Sequence, residues 1–132
     1  MAGYVVNTHV LVWFLEGNPK LSAACRDILQ SAEVTIYVPA MAILEAIDLV
    51  QKRRTVMDLV RFEAVLSREQ WVQVVPIDRS IAMLTARFSE SEDIHDRCVV
   101  STAMSLIEQE KDVVLMTVDE NITKSNYVPT LW

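Results

Sequence analysis

Short apolar runs rich in strand-forming residues alternate along this chain with segments of helical periodicity, and this alternation restricts the possible folds more than any other feature. The predicted strands cover residues 4–6, 34–38, 71–76 and 113–116, with a further short strand at 127–129. Successive apolar residues are typical of strands that are buried on both faces of a parallel sheet. The pattern predicts an α/β fold, a three-layer α/β/α sandwich with a central parallel sheet.

Capping and breaking residues mark the predicted helices between these strands. Thr8 is expected to cap the first helix, which Gly17 ends, and Ser22 opens the second. The later helices are predicted over about 40–54, over about 56–66, from Asp78 or Ser80 to about 89, and from Asp96 onward. The basic run Lys52-Arg53-Arg54 falls in the last predicted turn of the third helix, where positive charge suits the helix dipole.

Length and cysteine usage predict one intracellular domain covering residues 1–132. Cys25 and Cys98 have no CxxC partner, so we expect both to pack as small apolar side chains in a reducing, cytoplasmic setting. No apolar stretch approaches the roughly 20 residues of a membrane span, and the first residues lack the features of a signal peptide. We therefore expect no contact with a membrane.

The net charge of -6 does not by itself favour or exclude a nucleic-acid partner. Nucleic-acid binding normally appears as a basic excess, which this chain lacks. Acidic residues gathered at a metal site would, however, give a small nuclease the same negative balance. Composition alone leaves both alternatives open.

Polar and acidic residues lie close to the carboxyl ends of the predicted strands. Asn7 follows the first strand, Glu45 lies about one helical turn beyond the second, and Asp119 directly follows the last long one. Asp93 and Asp96 precede and open the helix that leads into that strand. Because ligands bind at the carboxyl ends of parallel strands, we expect these residues to converge on one edge of the sheet. Clustered carboxylates suit a hard cation such as Mg²⁺ or Mn²⁺, which favours hydrolysis of a phosphodiester.

Each acid also has a purely structural alternative. Glu45 could belong to the polar edge of its helix, together with Asp48. Asp96 could be a helix N-cap, and Asp119 could cap the turn at 120–122. The joint placement of the acids at one sheet edge favours the metal site over three unrelated structural roles.

Four segments resemble motifs of the PIN domain family, in the family's order and at similar spacing. Val6-Asn7-Thr8-His9 resembles the opening motif, in which an Asp-Thr-His/Asn run is usual, and Glu45 resembles the helix acid. Asp93-Ile94-His95-Asp96-Arg97 resembles the Asp-x-x-Asp-Arg motif, and Thr117-Val118-Asp119-Glu120-Asn121-Ile122 resembles the motif after the last main strand. The resemblance covers nearly the whole chain.

This resemblance implies a Mg²⁺- or Mn²⁺-dependent ribonuclease of the VapC type, commonly the toxin of a toxin–antitoxin pair. Such toxins usually form homodimers and are inhibited by a cognate antitoxin. The implied catalytic and metal-binding residues are Asn7, Glu45, Asp96 and Asp119. Thr8, Asp93 and Arg97 are implied as supporting residues around them.

Asn7 departs from the family pattern, which has Asp at this position. An amide oxygen can coordinate a hard cation, but it lowers the charge of the site and therefore its affinity for metal. Three explanations stay open: an inactivating substitution, a naturally degenerate nuclease, or a tolerant site that uses three acids. The alternative function is a degenerate PIN module that binds RNA or an antitoxin peptide without cleaving RNA.

Other chemistries lack residues that they need. His9 and His95 have no Cys/His partners at zinc-ligand spacing, and Ser101 and Thr102 have no base that would activate them. A receiver domain needs an acidic pair after the first strand, and a haloacid-dehalogenase-type phosphatase needs Asp-x-Asp there. Two glycines cannot supply a glycine-rich nucleotide loop.

Overall fold

The computed structural model describes residues 3–67 and 72–132, and it contains a five-stranded sheet in which every pair of neighbouring strands is parallel. The strands are β1 (Gly3–Val6), β2 (Thr35–Pro39), β3 (Val72–Val75), β4 (Val113–Met116) and β5 (Thr130–Leu131). Their order is β3-β2-β1-β4-β5, with β1 at the centre. Residue 71, the predicted start of the third strand, lies outside the described residues. The predicted parallel sheet is confirmed.

Seven α-helices in the described residues connect and follow these strands. They are α1 (Thr8–Glu16), α2 (Ala23–Gln30), α3 (Ala40–Gln51), α4 (Leu59–Leu66), α5 (Arg79–Leu84), α6 (Ile94–Glu108) and α7 (Glu120–Ser125). A short 3-10 turn at Thr85–Arg87 continues α5.

Alternating side chains of β1 enter two separate apolar cores, one on each face of the sheet. Val6 packs in the core that α1, α2, α3 and α4 cover, which includes Val10 and Ala42. Val5 packs in the other core, with Val99 of α6 and Ile122 of α7. Helices thus cover both faces, which confirms the three-layer α/β/α sandwich.

Two helices begin at residues other than the predicted ones. Asn7, not Thr8, caps α1, because the backbone of Asn7 is still extended (φ -74°, ψ 162°) while Thr8 is already helical. Asp93, not Asp96, caps α6, since the carboxylate of Asp93 accepts hydrogen bonds from the N–H groups of His95 and Asp96. Asp96 therefore lies inside the first turn of α6, where its carboxylate is free for another role.

The third helix ends earlier than predicted, and the basic run lies beyond it. α3 ends at Gln51, Lys52 occupies the C-cap, and Arg53 adopts a left-handed conformation (φ 55°), which a continuing helix does not allow. Lys52 instead pairs with Asp48 at 2.9 Å on the exposed surface.

Three further boundaries were predicted wrongly. α4 begins at Leu59 rather than near residue 56, because Asp58 is the extended residue that caps it. α5 ends at Leu84, where the tighter 3-10 turn takes over well before residue 89. The last strand is Thr130–Leu131 rather than 127–129, although the carbonyl of Pro129 already accepts the N–H of Leu115 at 2.9 Å.

Both cysteines are buried, as the sequence predicted. Burial raises the pKa of the Cys98 thiol, with a smaller contribution from the nearby charge of Glu45, so this side chain stays neutral. In the described parts of the chain, none of the helices combines the length and the apolar character needed to cross a bilayer.

Candidate functional site

The candidate site lies at the carboxyl ends of β1 and β4, where the strand order changes direction. From β1 the chain builds outward through β2 to β3, and it later returns to place β4 on the other side of β1. Such a switch point leaves a crevice between adjacent strands, in which ligands of open α/β sheets commonly bind. The N–H of Asn7 donates to the carbonyl of Met116 at 3.1 Å, so the two strand ends are joined at this point.

Asn7 is buried at the floor of this crevice, with 7% of its surface exposed, and both ends of its amide are bonded within the protein. Nδ2 donates to Oγ1 of Thr117 at 3.0 Å, and Oδ1 accepts the N–H of Thr8 at 2.8 Å. The Thr117 hydroxyl also accepts the N–H of Asp119 at 3.0 Å. Asn7 therefore fixes the start of α1 and, through Thr117, the backbone at Asp119.

Thr8 connects the first turn of α1 to the acid of α3. Its Oγ1 donates a 2.7 Å hydrogen bond to Oε1 of Glu45. The other carboxylate oxygen of Glu45 lies 3.7 Å from Nδ1 of His95, which is also 3.6 Å from Oδ1 of Asp93. Glu45 is thus a partly buried acid with a directed hydrogen bond, which is the arrangement that a polar side chain in an apolar helix requires.

Asp96 carries the clearest electrostatic sign that the acids converge. Partial burial, together with the charges of Asp119, Asp93 and Glu45, raises the pKa of Asp96 to about 6. His95 has a smaller effect, which lowers this pKa. Burial is the largest cause of this shift, and the like charges of the neighbouring acids add to it. Asp96 of α6 therefore lies near Asp119, which follows β4, and near Glu45 of α3.

Asp119 and Asp93 also act as helix caps. Oδ1 of Asp119 accepts the N–H of Asn121 at 2.8 Å and the N–H of Ile122 at 3.3 Å, which begins α7. This is the structural role that the sequence offered as an alternative for Asp119. One carboxylate oxygen of Asp119 caps the helix, while its charge still acts on Asp96.

Contacts in the structure connect most of the residues that the sequence singled out. Hydrogen bonds through Thr8 and Thr117 connect Asn7 with Glu45 and with the backbone of Asp119. Arg97 follows Asp96 on α6, and its partly buried guanidinium forms no ion pair within the described residues.

Sequence reasoning missed two participants. Thr117 was treated as part of a motif, although a hydroxyl at the end of the last long strand could have indicated its bond to Asn7. His95 was considered only as a zinc ligand, whereas it lies between Glu45 and Asp93.

The donor atoms in the crevice fit a hard divalent cation. Within residues 3–67 and 72–132, no three His, Cys, Asp or Glu side chains enclose a single point closely enough to form a complete ligand cage. Mg²⁺, however, usually keeps several water ligands and binds to one or two carboxylates. Glu45, Asp96 and Asp119 have no Lys or Arg partner among the ion pairs of the described residues, so their oxygens are suitable donors for such an ion.

The sequence of residues 4–125 matches the model of the PIN domain family. No curated protein matches the chain. Its fold is similar to that of VapBC2 from Rickettsia felis, solved bound to a DNA fragment from their promoter, with a TM-score of 0.70, 12% identity, and coverage of 98% of this chain and 97% of that one. It is also similar to VapBC-1 from nontypeable Haemophilus influenzae, with a TM-score of 0.65, 14% identity, and coverage of 98% and 96%.

Proposed function

The chain belongs to the PIN domain family, and we propose that it is a Mg²⁺- or Mn²⁺-dependent ribonuclease that acts as a VapC-type toxin. PIN domains are generally nucleases that use divalent metal ions. The observation that carries the proposal is the set of hydrogen bonds at the β1–β4 switch point, which connect Asn7 through Thr8 to Glu45 and through Thr117 to the backbone of Asp119. The raised pKa of Asp96, caused by burial and by the charges of nearby acids, supports it.

In this proposal, Glu45, Asp96 and Asp119 hold the cation, and Asn7 contributes its amide oxygen. Oδ1 of Asn7 already accepts one hydrogen bond, and a second lone pair remains on that oxygen. A bound divalent ion would activate a water molecule and stabilise the negative charge that develops on the cleaved phosphodiester.

The protein's own hydrogen bonds prepare these ligands. The Thr8 hydroxyl holds one oxygen of Glu45, which leaves the other directed toward His95 and the crevice. Asn7 and Thr117 fix the backbone at Asp119. Without metal, the pKa of Asp96 is about 6. Because a cation binds the deprotonated carboxylate, metal binding below about pH 6 is expected to release this proton.

Asn7 itself favours one second candidate, a PIN module that binds RNA or an antitoxin peptide without cleavage. An Asp at this position would place a carboxylate oxygen beside Thr117, whereas Asn7 places the N–H donor of its amide there. With Asn7, the site carries one negative charge less than the family pattern. Its metal affinity is expected to fall accordingly.

The proposed partners are an RNA substrate, a cognate antitoxin and a second copy of the chain in a homodimer. They follow from the proposed VapC type, which the family match and the fold of two VapBC structures support. We also propose that residues 1–132 act as one PIN domain, and that it works in the cytoplasm, where two free, buried cysteines are stable.

The test is cleavage of a labelled single-stranded RNA in Mg²⁺ and in Mn²⁺ by the chain, by Asn7→Asp and by Asp96→Asn. Asp112→Asn is the matched control, because Asp112 precedes β4 at the opposite edge of the sheet. If the chain cleaves RNA, and if Asp96→Asn abolishes this cleavage whereas Asp112→Asn retains it, the nuclease is supported. Cleavage by Asn7→Asp alone means that the site is assigned correctly and that Asn7 inactivates it, which favours the binding module for the chain itself. If neither protein cleaves RNA and neither binds Mn²⁺ in calorimetry, the assignment of the site is wrong.

A further inference from the structure

A second feature opens beside the acids, on the side of the crevice formed by α6 and α7. It is a pocket of about 520 Å³, and Glu92, Asp93 and Asp96 are the acids that line it. Arg97, Lys124 and Tyr127 are among the other residues that line it. This volume lies within the range of pockets that hold small ligands.

Two aromatic rings in contact with each other form part of the pocket wall. The centroids of Phe88 and Tyr127 are 4.5 Å apart, and the rings are tilted by 58°. Phe88 is buried, whereas 43% of Tyr127 is exposed. Asn126, in a left-handed conformation (φ 57°), ends α7 immediately before Tyr127 and sets the direction in which the chain leaves that helix. A partly exposed ring that lines a pocket and is held by a buried neighbour suits stacking with a flat ligand.

Two cationic side chains line the same pocket. Nε of Arg97 is buried and has no hydrogen-bond partner within the described residues, although an unsatisfied buried donor lowers stability. Lys124, in the last turn of α7, is exposed and forms no ion pair in the described part of the chain. Arg97 and Lys124 therefore offer donors for an anion in a pocket whose acids include Asp96, which is proposed to hold the metal.

From these contacts we propose that the pocket holds one unstacked nucleotide of a single-stranded RNA, next to the phosphodiester that is cleaved. The base stacks on Tyr127, and a backbone phosphate binds Arg97 and Lys124. Asn121 and Ser125, which also line the pocket, offer polar groups to the edge of the base. This inference rests on the proposed ribonuclease function and adds the residues that position its substrate.

A single-stranded RNA fits these features better than a peptide partner does. The combination of an exposed aromatic ring with cationic side chains is typical of proteins that bind unpaired nucleotides. A basic peptide, which the acids would attract, would also meet the positive charges of Arg97 and Lys124 in the pocket.

The experiment measures the affinity of a fluorescein-labelled single-stranded RNA octamer by anisotropy, with the full chain in Ca²⁺ and with intact RNA verified on a gel. Tyr127→Ala is expected to weaken binding roughly five- to hundredfold, in line with the loss of one base–aromatic stack. Tyr127→Phe keeps the ring and is expected to bind nearly as well as the parent. A duplex of the same sequence is expected to compete poorly, because its bases stay stacked.

The cationic side chains have a sharper control. Lys124→Ala is expected to reduce the slope of log K against log salt concentration by about 0.7, as for the loss of one phosphate contact in a single strand. Lys111→Ala removes the same charge just before β4, at the opposite edge of the sheet, and is expected to leave the slope unchanged. Because Lys124 is exposed, Lys124→Ala tests the pocket even if Tyr127→Ala lowers stability.

The failure of this inference is distinguishable from the failure of the proposed function. Unchanged affinity and salt slope in Tyr127→Ala and Lys124→Ala, or equal competition by the duplex, would overturn the nucleotide pocket even if the chain cleaves RNA. In that case a peptide becomes the better candidate occupant. Pocket-dependent RNA binding without cleavage by the chain or by Asn7→Asp would support the pocket and contradict the nuclease.

Discussion

The side chains of Asn7 and Thr117, which are 110 positions apart in sequence, form a 3.0 Å hydrogen bond that joins the carboxyl ends of β1 and β4. Because Thr117 also accepts the N–H of Asp119, this bond links the position where the family has Asp to an acid proposed to hold the metal. The identity of residue 7 therefore affects both the charge of the site and its hydrogen bonds.

The first prediction concerns Asn7→Asp. The carboxylate adds one negative charge to a crevice in which acids already repel each other, so the metal-free protein is expected to lose stability. Mn²⁺ affinity is expected to rise, because ligand charge tunes affinity for hard cations. Calorimetry with Mn²⁺ and the melting temperature in a chelator measure the two effects. Equal Mn²⁺ affinity in both proteins would show that residue 7 lies outside the metal site.

The second prediction separates support of the site from stability alone. Thr8→Val removes the hydroxyl that donates to Glu45 and is expected to lower the free energy of unfolding by about 1–2 kcal/mol, together with Mn²⁺ affinity. The matched control is Thr55→Val, which removes an equally short 2.7 Å bond from Thr55 to Glu16. Urea denaturation is expected to show a loss in both variants, and calorimetry a loss of metal binding only in Thr8→Val. A similar loss of metal affinity in Thr55→Val would contradict a specific role of Thr8.

The third prediction is a pH dependence that involves Asp96. The folded-state pKa of Asp96, about 6, lies above its usual value of 3.8, so between these values the folded chain binds more protons than the unfolded chain. The contribution of Asp96 to stability therefore falls as the pH rises from about 4 to about 6 and stays low above that. Solvent screening reduces the size of this effect, because Asp96 is only partly buried.

Asp96→Asn removes this dependence. In a chelator, the free energy of unfolding of Asp96→Asn relative to the parent is expected to increase from pH 4 to pH 7, as urea denaturation at each pH would measure. Asp27→Asn, on the exposed surface of α2, is the control and is expected to show no such trend. A constant difference across this range would mean that burial and the neighbouring acids do not raise the pKa of Asp96.

The fourth prediction distinguishes the two roles of Asp119. Asp119→Ser keeps a good N-cap for α7 but removes the carboxylate, so we expect little loss of stability and a large loss of RNA cleavage. Asp119→Ala is expected to lose about 1 kcal/mol of stability in addition. Asp58→Ser, at the cap of α4 on another part of the surface, is expected to leave cleavage unchanged. If Asp119→Ser cleaves RNA as well as the parent does, Asp119 is a cap and nothing more.

The sequence predicted helix and strand positions well and helix boundaries less well. Asp93 and Asp96 show why: either acid suits an N-cap, and the choice depends on which residue remains extended as the chain enters α6. Lys52-Arg53-Arg54 shows the same limit, since basic residues suit a helix end whether they lie inside the last turn or just after it.

The sequence by itself determined the parallel sheet and the edge at which the acids meet. Apolar runs alternating with helices can bury themselves only in a layered α/β fold, and parallel strands place all their carboxyl ends together. Only the tertiary structure decided the bond between Asn7 and Thr117, the partial burial of Asp96 and the pocket that Tyr127 lines. These features depend on β4 lying beside β1 and on how closely α6 and α7 pack over that junction, and such long-range contacts have no counterpart in the local pattern of residues.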